Sequence, residues 1–310
     1  MVNYLSGKQY EISHTDSKGR VHTARITSLS AALREYTVDG LDVVTPFEAD
    51  QLPPYYSGIT LFPFPNRLED GTYSFEGVEY QLPINELDKH NQLHSFSQYY
   101  DFATELEVSK SEVSLRLAMP ALTSYPFLTH FDVTYSLDDT GLSVAMEATN
   151  VGKTNAPCGF GGHPWFSCRG NMDDASLQFS AESWVKANER LIPVEETAIP
   201  ERFDFSEGRT LKGADFDDAF VKPTKLDESA PGVHQVLLTG ADGHKTLVWS
   251  DGNYPDWQIC SGNGIPGDLN RFGLAIEPMT CYANAFKTGR NLIVLKPGQS
   301  AGGTWGVVFE

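Results

Sequence analysis

HFDVTYSL, residues 130–137, places Phe131, Val133, Tyr135 and Leu137 on one face of an extended chain and polar side chains on the other. A period of two is what a strand with one buried face requires, because successive side chains point to opposite sides of the pleat. Asp138, Asp139 and Gly141 follow as turn residues, and LSVAMEAT, residues 142–149, resumes the alternation with Leu142, Val144 and Met146. TYSFEGVEYQL, residues 72–82, reads as a hairpin around Glu76-Gly77, where glycine supplies the positive φ of a tight turn. Short segments of the same kind recur at ATELEVS, EVSLRLAM, VHQVLLTG, HKTLVWSD, PDWQICSG, RFGLAIEP, NLIVLKPG and TWGVVFE. The 27 glycines and 18 prolines punctuate these segments rather than interrupt them. Only SAALREYTV and ADFDDAF offer a helical turn or two. No internal repeat, low-complexity tract or shift of composition divides the chain. Residues 1–310 are therefore expected to form one large all-β domain, a sandwich or barrel.

The bulk numbers narrow the partners. With 310 residues and 40% hydrophobic content, the chain can bury a substantial core. A formal net charge of −18 repels phosphate backbones and anionic lipid, which argues against nucleic acid and membrane surfaces. MVNYLSGKQYEISHTDSKGR has no apolar run able to serve as a signal-peptide core. No stretch approaches the roughly 18 consecutive apolar residues of a membrane span. Cys158, Cys168, Cys260 and Cys281 read as free buried thiols of a reducing compartment, and a cytoplasmic protein is expected.

Three patterns suggest cofactors and fail their context. Gly262, Gly264 and Gly267 in CSGNGIPGD have GxGxxG spacing, but Pro266 lies inside the motif and DLNRFGLAIEP after it reads as loop and strand, not helix. Glu86, His90 and His94 are four apart in NELDKHNQLHSF, which has no amphipathic helical period. Cys158, His163 and Cys168 match no common zinc spacing. No metal is expected.

Three other segments carry residue types suited to chemistry. In FPFPNRLEDGTYSFEGVEYQLPINE and the following NQLHSF, Arg67 stands behind Pro65-Asn66 and presents a planar fork of donors suited to vicinal hydroxyls or a carboxylate. In CGFGGHPWF, His163 emerges from small residues that allow close approach. In GLAIEPMTCYANAF, Glu277 ends an apolar strand, where a carboxylate needs a partner or a function. Both His163 and Glu277 directly precede a proline, which pushes each into extended backbone and would stiffen it.

PNRLEDGTYSFEGVEYQLPINE, NQLH, GGHPWF, FDDAF and EPMTCYANAF, in this order and across about two hundred residues, resemble the aldose 1-epimerase (galactose mutarotase-like) family. The resemblance implies a β-supersandwich of large antiparallel sheets packed face to face, with the active site in a cleft across one sheet. It also implies a catalytic base at Glu277, a catalytic acid at His163 and an assisting histidine at His94. Sugar-holding positions fall on Arg67, beside Asn66, and on Asp217, with Asp218 the adjacent alternative. Trp165, and more remotely Trp249 or Trp257, could stack on a sugar face.

The implied reaction interconverts the α and β anomers of a free aldohexose. Glu277 takes the proton of the anomeric hydroxyl while His163 gives one to the ring oxygen, the pyranose opens, and reclosure gives the other anomer. This expects an ionised Glu277 and a protonated His163 near neutral pH, standing on opposite sides of the hemiacetal. It needs no cofactor, since no electron or group is transferred. The partner is a small sugar, and the protein a monomer or homodimer. Ser95, Trp165 and Asn284 depart from the commoner glycine, tyrosine and aspartate of the family, which bears on the substrate rather than on the acid–base pair. A hexose-6-phosphate mutarotase is the nearest rival, but it needs a basic cluster and the 23 Lys and Arg residues are scattered. A non-catalytic sugar sensor would not need both His163 and Glu277. A polysaccharide hydrolase or lyase would need a second carboxylate partnered with Glu277, and none is evident.

Overall fold

The alternation at 130–137 builds the strand Thr129–Asp138 in the computed structural model, which describes residues 4–310. The first three residues of the N-terminal stretch quoted above lie outside the described residues. Phe131, Val133, Tyr135 and Leu137 are at most 4% exposed, and their polar neighbours face outward. The strand pairs antiparallel with Gly141–Asn150, setting Val133 opposite Met146 and Tyr135 opposite Val144, so the two apolar rows coincide.

From this pair a nine-stranded antiparallel sheet extends both ways. One wing is Glu112–Met119 and Thr104–Val108; the other runs through Ser300–Phe309, Lys245–Ser250, His234–Thr239, Ser176–Phe179 and Phe205–Thr210. A second, eight-stranded sheet runs Pro193–Thr197, Ala181–Ala187, Asp217–Pro223, Asp256–Cys260, Leu274–Met279, Gly161–Gly162 and Thr60–Leu61, with Trp165–Phe166 pairing on Leu274–Met279. A four-stranded meander (Gln9–Thr15, Val21–Thr27, Leu33–Val38, Leu41–Asp42) packs beside the first sheet, where the Tyr135 hydroxyl donates to the Ala31 carbonyl at 2.6 Å. The hairpin at Glu76-Gly77 joins Thr72–Phe75 to Val78–Gln81, and both turn residues have positive φ.

The two large sheets pack face to face, as the supersandwich expectation requires. Phe131 stacks on Phe62 at 4.4 Å, and Phe179 meets Phe220 across the layers at 4.8 Å. Gly162 lets the Trp305 indole lie flush on the second sheet, since a Cβ there would come within 2.9 Å of the ring. Each fully buried aromatic or aliphatic side chain in this layer contributes about 1.5–3 kcal/mol.

The two helical readings are corrected. Within SAALREYTV, Leu33–Val38 is a strand of the meander, and ADFDDAF leads into the strand Asp217–Pro223. Both segments are too short to nucleate a helix alone, and ladder partners on either side settle them as strands. Among the described residues the one α-helix is the four-residue Ala285–Thr288, and no helix is long and apolar enough to cross a membrane.

Candidate active site

The strand Leu274–Met279 is buried on both faces, so its alternation decides which side chains reach the cleft. Leu274 and Ile276 join the inter-sheet core, and Glu277 points the other way. On the neighbouring strand Trp257 and Ile259 enter the same core, leaving Gln258 directly opposite Glu277. One strand further, Asp217 takes the cleft side and Asp218 the core side, where it accepts the Trp184 indole N–H at 2.8 Å. Asp217, not Asp218, therefore belongs to the cleft.

His163 lies between the strands Gly161–Gly162 and Trp165–Phe166. Its backbone is pinned on both sides: its N–H donates to the Ile59 carbonyl at 3.0 Å, and its carbonyl accepts from Gly58 at 2.8 Å. Asn66 and His94 flank the same end of another ladder, Arg67–Glu69 against Asn91–Leu93, and the His94 N–H donates to the Asn66 carbonyl at 2.9 Å. Both have left-handed backbone, φ 58° and 60°, a conformation in which Asn and His are enriched among non-glycine residues. Ser95 shares it at φ 54°, which explains why glycine suits that position. Asn284, also left-handed, accepts from the Glu69 N–H and donates its own N–H to the Arg67 carbonyl, bracing the same ladder.

Glu277, Gln258, Asp217, His163, Asn66 and His94, together with Arg67 and Trp165, line one cavity of about 240 Å³. His163 Nε2 is 3.5 Å from Glu277 Oε1, and His94 meets His163 edge-on with ring centres 4.9 Å apart. Asn66 Nδ2 donates to Gln258 Oε1 at 3.2 Å, and Gln258 Nε2 donates to Asp217 Oδ1 at 2.7 Å, a chain of amide and carboxylate along the wall. Arg67 binds Glu86 side-on at 2.9–3.0 Å and lies 3.6 Å from Asp217. Trp165 stacks on Phe272 at 4.5 Å. His94 Nδ1, His163 Nδ1 and Glu277 Oε2 are buried without a hydrogen-bond partner among the described residues. Buried polar atoms are rarely left so unless a ligand or water completes them.

The electrostatics depart from expectation in one respect. Burial lifts Glu277 well above the ordinary carboxylate range, with Asp217 adding to the effect and Arg67 opposing it. Burial, with Arg67, holds His163 down to about 4, and burial, His163 and Arg67 hold His94 well below its ordinary value. The cleft thus favours a protonated carboxyl beside a neutral imidazole, the reverse of the expected ion pair. The geometry differs too. Glu277 and His163 stand side by side on one wall instead of flanking a ring from opposite sides. That still suits a hemiacetal, whose hydroxyl and ring oxygens are bonded to one carbon and lie side by side.

Trp257 is fully buried and donates to the Tyr254 carbonyl, and Trp249 packs against Gly306, so neither lines the cleft. Glu86, His90 and His94 diverge: Glu86 goes to Arg67, exposed His90 to Asp70, and His94 to the cleft. Gly262, from the GxGxxG pattern, sits in a loop between antiparallel strands at φ 67°, where a Cβ would come within 3.2 Å of the Trp165 ring. Cys158, Cys168 and Cys281 are buried free thiols, whereas Cys260 is half-buried and lines the cleft. Sequence reasoning missed Gln258, Tyr56 and Asn263, and weighed Glu86 only as a metal ligand. The alternation of DWQIC exposes Gln258 as a polar residue between two core side chains, but the other three sit in irregular segments without a pattern.

The aldose 1-epimerase family model matches residues 13–305. The protein named "Uncharacterized protein YihR" of Escherichia coli strain K12 is 32% identical over 279 residues, 89% of this chain and 86% of that one. The human protein named galactose mutarotase is 28% identical over 74% of this chain and 68% of its own. The solved structure of a GalM/aldose epimerase homologue from C. elegans superposes with a TM-score of 0.83 at 18% identity, covering 98% of this chain and 99% of that one, which shows a common fold. With the matched motifs gathered at one cleft of that fold, this chain belongs to the aldose 1-epimerase family.

Proposed function

We infer that the protein is a mutarotase, interconverting the α and β anomers of a free aldohexose without a cofactor. The observation that carries this reading is the buried pair of Glu277 and His163, 3.5 Å apart and each with an unpartnered polar atom, beside a wall of hydroxyl-binding groups.

In the forward reaction the carboxylate of Glu277 accepts the proton of the anomeric hydroxyl. His163 delivers a proton to the ring oxygen, the C1–O5 bond breaks, and a carbonyl forms at C1. Rotation about C1–C2 turns the other carbonyl face toward the ring oxygen, and the two transfers run backward. The neutral pair already holds the one proton this cycle needs. A sugar hydroxyl donating to Glu277 favours the carboxylate and so moves that proton toward His163. Each positioned acid or base contributes about 10²–10⁴-fold. His94 stands beside His163 to assist at the ring oxygen. Asn66, Arg67, Asp217 and Gln258 offer donors and acceptors to the remaining hydroxyls, and Trp165 offers a flat apolar face.

A hexose-6-phosphate mutarotase is less well supported. Arg67 is the one Lys or Arg among the described residues lining the cleft, and it lies between the carboxylates of Glu86 and Asp217. A phosphate dianion calls for uncompensated cations. The four unpaired thiols support a reducing, cytoplasmic setting. Polarimetry of freshly dissolved α-D-glucose, α-D-galactose and α-D-glucose 6-phosphate tests the assignment. Acceleration of a free hexose is expected. Acceleration of the phosphate alone would move the assignment to the rival, and binding without acceleration would make the protein a sensor.

A further inference from the structure

Arg67 is gripped from outside the cleft. Its Nε donates to both oxygens of Glu86 at 3.0 Å and its Nη2 to Oε1 at 2.9 Å, yet Glu86 does not itself line the cavity. This side-on pairing fixes the plane of the guanidinium and leaves Nη1 without a protein partner among the described residues. Glu86 is held in turn. Asn91, fully buried, donates through Nδ2 to Glu86 Oε2 at 2.9 Å, and the two backbones exchange hydrogen bonds at 3.1 Å.

The grip continues to a distant part of the chain. Asn91 Nδ2 also donates to the carbonyl of Arg190, in the turn between Ala181–Ala187 and Pro193–Thr197. Arg190 returns the contact: Nε donates to the Lys89 carbonyl at 2.8 Å, and Nη2 to the His90 carbonyl at 2.8 Å and to Asp70 Oδ1 at 2.7 Å. Its Nη2 also reaches Asn91 Oδ1 at 3.3 Å. One guanidinium thereby pins the segment that presents Glu86, which has little regular structure of its own.

We propose that Glu86 is a positioning residue for Arg67, and that Asn91 and Arg190 are the outer part of the same clamp. A turn at the edge of the second sheet then sets sugar affinity in the cleft. An arginine stem has many rotamers, and a guanidinium ordered in advance binds hydroxyls without incurring that ordering cost during association. A group that only holds hydroxyls contributes equally to ground state and transition state, so its loss appears in KM. This proposal rests on the mutarotase reading.

The test is mutarotation kinetics with thermal melting for the full chain and for Glu86→Ala, Glu86→Gln, Arg67→Ala, Glu86→Ala with Arg67→Ala, and Arg190→Ala. Glu86→Ala is expected to raise KM about tenfold while kcat stays within about threefold, and Glu86→Gln to recover part of the loss. In the Arg67→Ala background, Glu86→Ala should add less than about twofold, because the group it positions is gone. Arg190→Ala should raise KM a few-fold with kcat intact. Glu86→Gln serves for the same cycle should Glu86→Ala fail to fold. Equal losses with and without Arg67, a fall in kcat at constant KM, or wild-type kinetics in Glu86→Ala would each overturn the proposal while leaving the mutarotase reading in place. A wild-type protein that binds no sugar and accelerates no mutarotation would overturn that reading, and the clamp's role with it.

Discussion

Nε2 of His163 lies 3.5 Å from Oε1 of Glu277, while Nδ1 of the one and Oε2 of the other are buried with no hydrogen-bond partner among the described residues. Two titratable groups so placed are close enough to share a proton and each has a face left for a ligand. Desolvation drives their affinities apart, Glu277 upward and His163 downward. Burial disfavours the charged forms, and a polar sugar would partly restore them.

Removing either group is expected to disable turnover. Glu277→Gln and His163→Asn should each lower kcat by about 10²–10⁴-fold, and the double variant should lose little more than the worse single one. Saturation kinetics would check this; losses that multiply in the double variant would mean the two act independently.

The rate should depend on pH as a plateau with two limbs. The pair carries its one working proton between the depressed value of His163, about 4, and the raised value of Glu277. Below the first both groups are protonated and no base remains; above the second neither holds a proton and no acid remains. A kcat/KM profile from pH 3.5 to 9.5 should show its acid limb near 4, well under the histidine range. An acid limb at 6–7 would contradict the burial argument.

Stability should respond to pH through the same two groups, with opposite signs. His163 binds its proton less readily folded than unfolded, so folding loses stability as pH falls from about 6.5 to about 4, by roughly 3 kcal/mol at most. Glu277, raised when folded, contributes stability that is complete below its unfolded value and lost as pH rises through its folded value. Melting temperatures across this range should fall less on the acid side in His163→Asn and less on the alkaline side in Glu277→Gln. Identical profiles in all three proteins would contradict both assignments.

Much of this was legible in the chain, and the reasons divide cleanly. Phe131, Val133, Tyr135 and Leu137 announce their strand because burial on one face imposes a period of two. Glu277 and His163 stand out because an ionisable group among apolar or small neighbours needs a reason. The strands at Leu33–Val38 and Asp217–Pro223 were obscured because their ladder partners, not their own residues, decide the conformation. Glu86 was hidden because its meaning lies in a contact with Arg67, 19 residues earlier, across an irregular segment. The protonation state ran opposite to expectation because desolvation depends on depth, which no local pattern encodes.

The packing of the two sheets gives a test away from the chemistry. Gly162→Ala would bring a Cβ within 2.9 Å of the Trp305 ring, next to His163. Overpacking of this kind costs about 1–3 kcal/mol, so the melting temperature should drop by several degrees. An unchanged melt would mean the indole can shift freely.

Proton transfer through Glu277 can be read from exchange NMR between the α and β anomeric protons of D-galactose at equilibrium, with wild-type protein and with Glu277→Gln at equal concentration. Exchange far above the spontaneous rate is expected with the wild type, and a return almost to that rate with the variant. Undiminished exchange with Glu277→Gln would show that the proton at the anomeric oxygen travels by another route.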